Sequence, residues 1–168
     1  MYDFSWLPPL VTMEDCGRDW HRYLAAVYQY FQQDFADTLP HLAAKPVKIN
    51  RTPIHDGKET SFWHIISDGR SEIDRLPNLR RCERIRWPKP IIEAYAAAPG
   101  VLSWETYQHG DPRIKLSLAD FSYLVVLSNR PKYAFLITAY CVDRERTKRQ
   151  LQAEYKECTS RDKNGRRP

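Results

Sequence analysis

The chain has 168 residues, a formal net charge of +5, and 42% hydrophobic against 28% charged residues. That composition excludes a disordered polyelectrolyte, and the length suits one ordinary domain with a core of its own. No apolar run approaches a membrane span and nothing resembles a signal peptide, so a cytoplasmic protein without membrane association is expected. The cysteines Cys16, Cys82, Cys141 and Cys158 form no CxxC pair, and no glycine-rich phosphate loop is present. Zinc-ribbon and P-loop chemistry are therefore set aside, and neither a metal nor a cofactor is expected.

Residues 1–11 are apolar and proline-marked and read as an arm packed onto the domain. Thr12 followed by Asp15 reads as a helix start. Trp20, Leu24, Val27, Phe31 and Phe35 then recur at helical spacing, which predicts one amphipathic helix ending near Thr38, before Pro40. His21 falls off this stripe. Residues 46–50 alternate apolar and polar as a short strand does. Residues 51–58 read as a loop that carries His55 and Lys58. Residues 59–67 read as a short helix, broken at Asp68-Gly69. A helix is predicted over 79–86 and another helical piece over 91–98.

After Gly100 the period changes from helical to strand-like. Strands are predicted over 101–108, 113–118, 121–128 and 132–142, with turns between them. In the second, Ile114, Leu116 and Leu118 alternate with Arg113, Lys115 and Ser117. Residues 144–157 read as a charged helix. The expected fold class is α+β: N-terminal helices followed by a four-stranded antiparallel β-meander and a C-terminal helix. Residues 1–158 are expected to form a single domain with an N-terminal helical extension, and 159–168 a basic flexible tail.

The basic excess is uneven. Residues 70–89 carry seven Lys/Arg against three Asp/Glu, and residues 144–168 carry nine against four. The stretch Thr60 to Trp87, which overlaps the first of these segments, joins an imidazole, His64, to fixed cations at Arg80, Arg81, Arg84 and Arg86, followed by Trp87. Metal-independent RNA cleavage needs such groups. The substrate's 2′-hydroxyl attacks phosphorus, imidazole carries protons near neutral pH, and guanidinium forks match phosphate oxygens. Thr138 and Tyr140 lie two apart on the last strand and share one face, with Ile137, Ala139 and Cys141 assigned to the other. Arg113 and Lys115 share the polar face of their own strand.

Other readings fit the same residues. His64 suits a hydrogen-bonded histidine beneath Phe62 and Trp63. The arginines suit a solvated face paired with Glu72 and Glu83. Thr138 and Tyr140 are ordinary strand formers.

The run Phe62 to Ile66 (FWHII), the run Arg80 to Trp87 (RRCERIRW) and the run Leu136 to Tyr140 (LITAY) give the chain a likeness to a known group. Together with helices ahead of a four-stranded sheet, they resemble the barnase, EndoU, colicin and RelE-like ribonuclease fold, including its phage- and mobile-element-borne members. The likeness covers roughly residues 45–145. It implies a toxin-like endoribonuclease whose substrate is RNA, either tRNA or mRNA, and whose partner is a neutralising antitoxin or immunity protein. On that resemblance His64 is the acid/base residue, Arg81 and Arg84 clamp phosphate, and Thr138 supplies a hydrogen bond. Lys58, Arg80, Arg86, Trp87, Lys115 and Tyr140 bind substrate. The glutamate base of the barnase kind has only Glu105 as a candidate. Two rival readings remain: a non-catalytic nucleic-acid-binding accessory protein, with Trp87 or Trp104 stacking on bases, and a protein-interaction module.

Overall fold

The computed structural model describes residues 2–69, 76–95 and 100–163. The N-terminal arm is tied down by two hydrogen bonds: the backbone N–H of Val11 donates to the Glu83 carbonyl at 2.9 Å, and Trp87 Nε1 donates to the Pro8 carbonyl at 3.0 Å. Thr12 and Asp15 do pair, at 2.7 Å, but they open only a single 3₁₀ turn, Glu14–Cys16. Gly17 and Arg18 follow with φ of 68° and 59°, a left-handed step that no helix continues through. The first helix, α1 (Trp20–Gln32), therefore starts later than expected. Asp19 caps it by accepting the Arg22 N–H at 2.9 Å. A π-helical turn, Gln33–Asp37, extends it. Its buried face is Tyr23, Val27 and Phe31, with Phe35 beyond, whereas Trp20 stands at the surface. Tyr23 belongs to this face because its hydroxyl reaches the Val11 carbonyl at 2.9 Å.

Two short hairpins follow. The first joins β1 (His41–Leu42) to β2 (Lys45–Lys48), and the second joins β3 (Ile54–His55) to β4 (Lys58–Glu59). The second replaces the expected loop. Its turn residues Asp56 and Gly57 both take positive φ, the geometry a two-residue hairpin demands. Next come α2 (Thr60–Ile66), β5 (Ser67–Asp68), β6 (Leu76–Pro77), α3 (Leu79–Glu83) and α4 (Pro88–Glu93). The expected helix over 79–86 ends as a helix at Glu83. The helical piece expected over 91–98 begins at Pro88, and residues 96–99 lie outside the described residues. Then come β7 (Val101–Gln108), β8 (Asp111–Leu118), β9 (Tyr123–Asn129), β10 (Ala134–Cys141) and α5 (Glu145–Lys163). α5 continues through residues expected to begin the tail.

The fold class is α+β, but the sheet is not a four-stranded antiparallel meander. It has six strands in the order β1-β2-β10-β9-β8-β7 and is mixed. β7 to β10 pair antiparallel in sequence order, as expected. β2 joins β10 in parallel, pairing Val47 with Ala134 and Lys48 with Phe135. One sheet face meets α1 to α4 through Ile114, Leu116, Val125, Leu127 and Leu136, packed with Val27, Phe31, Phe62, Ile65 and Ile92. The other face carries a smaller cluster, Trp104, Leu124, Phe121, Val142 and Leu151, with Tyr140 and Tyr155 packed against it. α5 lies over that face against β7.

A bulge in β10 corrects one expectation. Leu136 faces Leu127 and Thr138 faces Val126, so Ile137 is an extra residue. Ile137 lines a cavity on the outer face with Phe135 and Arg113. Ala139 and Cys141 keep their places in or against the main core.

Candidate functional site

β2 covers only the first two residues of β10 on that edge. Farther along, α2 and α3 pack against β10. This junction gathers residues far apart in sequence. Asn78 caps α3, its side chain accepting the Arg81 N–H at 3.3 Å, and its amide donates to the Asp68 carboxylate. The cap sets the direction of Arg81. Arg81 Nη2 meets Asp68 Oδ1 at 2.6 Å, and Nη1 lies 3.5 Å from the carbonyl oxygens of both His64 and Ile65. The guanidinium sits 5.2 Å from the centre of the Tyr140 ring. Burial pushes the Tyr140 hydroxyl up in pKa, Arg81 opposes that shift, and Glu154 adds to it. Tyr140 is therefore a donor at neutral pH.

Cys141 follows on β10, with its thiol 3.8 Å from the Arg80 carbonyl. Burial raises its pKa, and Arg84, Arg80 and Arg81 all act to lower it. Three guanidinium groups thus lie within electrostatic reach of one strand end. Each also has an intramolecular partner. Arg80 pairs with Asp143. Arg84 holds Glu83 Oε2 and the Arg80 carbonyl, both at 3.1 Å, and lies 5.1 Å over the Trp87 ring. His64 is half-buried on α2, and its Nε2 atom is shielded from solvent. Thr138 lies two residues before Tyr140 on β10, opposite Val126.

Arg81 joins the His64 carbonyl to the Tyr140 ring, Arg80 and Arg84 lie near the adjacent Cys141, and Thr138 is two residues back on β10, whereas Lys58, Arg86, Trp87 and Lys115 are engaged by other groups. Lys58 donates to the Asp56 carbonyl and lies over the Tyr28 ring at 5.2 Å. Arg86 stacks on Tyr30 at 4.7 Å. Trp87 packs edge-on against Tyr123 while its indole holds the arm. Lys115 lies beneath α5, bound to Glu154 at 2.7 Å, and Trp104 donates to the same carboxylate. Trp104 is buried against Phe121 and Tyr155, so its ring has no face for a base to stack on. Glu105 stands on β7, three strands from β10, about 14 Å away by strand spacing. It is therefore no base for this region. His55 is exposed beside Asp56, Nε2 to Oδ2 3.4 Å, and His21 is exposed on α1. Glu72 lies outside the described residues.

Sequence reasoning missed Asp68 and Asn78. The Asn78 cap was legible, since an asparagine precedes the helix. The ion pair of Asp68 with Arg81 was not, because Asp68-Gly69 also spells a plain break. Among the described residues, no cluster of three or more His, Cys, Asp or Glu side chains is arranged to hold a metal ion. No helix among them is long and apolar enough to cross a membrane. Comparison with family models, with curated proteins and with solved structures finds no match to the chain.

Proposed function

We propose that the protein is a toxin-like, metal-independent endoribonuclease whose site is the junction of α2, α3 and β10. One observation carries the reading: Arg81, on α3, spans from the backbone carbonyl of His64, on α2, to the ring of Tyr140, on β10. A proton carrier, a planar cation and a hydroxyl donor are the groups that RNA transesterification needs. In the reaction the 2′-oxygen bonds to phosphorus as its proton leaves, and the P–O5′ bond breaks as the 5′-oxygen takes a proton. The products are a 2′,3′-cyclic phosphate and a 5′-hydroxyl. His64 serves one proton transfer and water the other. Arg81 exchanges its single contact with the Asp68 carboxylate for phosphate oxygens, which its planar fork takes in pairs. Thr138 and Tyr140 donate to the same oxygens. On this reading the chain acts on RNA and is held in check by a neutralising protein.

The test is incubation of the protein with total RNA in EDTA, beside His64→Ala and Arg81→Gln variants with unchanged circular dichroism. Cleavage by the parent and its loss in both variants is the expected result. RNA left intact by all three refutes the proposal.

A second reading, nucleic-acid binding without cleavage, has its own observation. The junction cations are engaged and Nε2 of His64 is shielded. In contrast, Arg144, Arg146, Lys148 and Arg149, at the start of α5, make no ion pair among the described residues. Cations at a helix N-terminus run against the helix dipole, which points to a use outside the fold. Salt-sensitive RNA binding that His64→Ala leaves intact, with no cleavage, selects this reading.

A further inference from the structure

α5 leaves one end of the outer sheet face open. There Arg113, Ser128 and Phe135 stand side by side on β8, β9 and β10, since Arg113 pairs with Ser128 and Ser128 with Phe135. With Arg130, Tyr133 and Ile137 they line a cavity of about 270 Å³. Two donors in its lining have no partner among the described residues. Ser128 is 2% exposed and its hydroxyl makes no hydrogen bond, and the same holds for the buried Nε of Arg113. Buried donors are rarely left unsatisfied, because each bears the full cost of leaving water.

The surrounding charge names the sign of the missing partner. Asp111 holds Arg130 through two contacts of 3.3 Å but reaches Arg113 only at 3.7 Å, so Arg113 keeps unused hydrogen-bonding capacity. Lys48 lies 4.5 Å over the Tyr133 ring, and Lys45 fixes the Asn129 side chain and the Arg130 carbonyl at 2.8 and 3.0 Å. Two guanidinium groups of the lining therefore share one carboxylate, with Lys48 held behind the Tyr133 ring. Tyr133 and Phe135 add aromatic surface against which a planar base can stack.

We infer that this cavity is a phosphomonoester site, taking the terminal phosphate of a nucleotide or of a nucleic-acid strand. The unpartnered donors are shielded from solvent, so a phosphodiester in mid-strand, flanked by sugars on both sides, does not reach them. A projecting terminal phosphate fits the cavity and meets them where the lining side chains give way. The inference stands apart from the catalytic reading, because the cavity shares no residue with the α2–α3–β10 junction.

The experiment is calorimetric titration of the full chain with inorganic phosphate, AMP, adenosine, and a short oligonucleotide with and without a 5′-phosphate. AMP is expected to bind at least tenfold more tightly than adenosine. Ser128→Ala and Arg113→Gln are each expected to weaken AMP at least tenfold, whereas His64→Ala leaves it unchanged. Ser128→Ala is further expected to keep or raise the melting temperature without ligand, since it removes an unsatisfied buried hydroxyl. Tighter binding of the phosphorylated oligonucleotide than of AMP assigns the site to strand ends, and the reverse assigns it to free nucleotides. AMP binding no better than adenosine, or unaffected by Ser128→Ala, overturns the inference.

Discussion

The Lys115–Glu154 pair gives a sharp test, because Lys115 reads in the sequence as a substrate cation and in the fold as an anchor for α5. Its amino group meets both Glu154 oxygens, at 2.7 and 2.9 Å, and Trp104 Nε1 donates to the nearer one at 2.5 Å. The Lys115 side chain is 19% exposed and that of Glu154 35%. Breaking a fully buried pair costs about 3–5 kcal/mol, and an exposed pair is worth about 0–1 kcal/mol. Lys115 lies near the first limit and Glu154 between the two, so Glu154→Gln should destabilise the protein by about 2 kcal/mol. The glutamine amide oxygen still accepts from the indole, which confines the loss to the charge. Lys115→Met removes the stranded cation, so it should cost less alone and make Glu154→Gln cheaper when combined. A coupling of about 1–2 kcal/mol is expected from urea unfolding of the four proteins, followed by tryptophan fluorescence. Additivity within about 0.5 kcal/mol would refute the anchor and return Lys115 to the pool of cations available to a ligand.

Phe62 is fully buried and meets Tyr28, Phe31 and Trp63 edge-on, so Phe62→Ala should cost about 3–5 kcal/mol in the same unfolding assay. Gly57 turns with φ of 72° in open space, so Gly57→Ala should cost about 1 kcal/mol through backbone strain alone, read as a lower melting temperature. Burial pushes the Cys82 thiol from 9.0 up to about 12. The unfolded chain therefore loses that proton first, and stability should fall as pH rises from about 9 towards 12, by up to about 1.4 kcal/mol per pH unit for this group. Cys82→Val should flatten that part of the pH profile, and an unchanged slope would exclude Cys82 as its source. Arg81→Lys keeps the charge and loses the planar fork, so RNA cleavage should fall at least tenfold with the circular dichroism spectrum unchanged.

Local rules made the antiparallel strands legible. Ile114, Leu116 and Leu118 alternate with polar neighbours, and β7 begins and ends where its pattern does. α2 was legible from its apolar run between the Asp56-Gly57 turn and Asp68-Gly69, although the segment ahead of it is a hairpin and not a loop. The misses share a cause, which is dependence on groups distant in sequence or on a single backbone angle. β2 looks like any short strand, and its parallel partner is decided by Ala134 and Phe135. The late start of α1 turns on Arg18, a non-glycine residue at positive φ. Ile137 changes face because β10 has one residue too many against β9. At the junction, residue types could suggest that Arg81 and Tyr140 meet. They could not show that Arg80 pairs with Asp143 or that Asp68 pairs with one arm of Arg81. The cavity on the outer face needs three strands in register, which no stretch of sequence spells out.

The parallel pairing of β2 with β10 also orders events during synthesis. Chains emerge from the ribosome N-terminus first, and Val47 is made long before its partner Ala134. Until β10 appears, β2 has its antiparallel neighbour β1 on one side and nothing on the other. The aromatic face of α1, with Phe31 and Phe35, meanwhile lacks the sheet that buries it. The nascent chain thus passes through an interval with an unpaired strand edge and bare aromatic rings together, the surfaces that chaperones bind. Closure of the sheet waits for β10, so translation must pass Cys141 before the early segments are safe from misassociation.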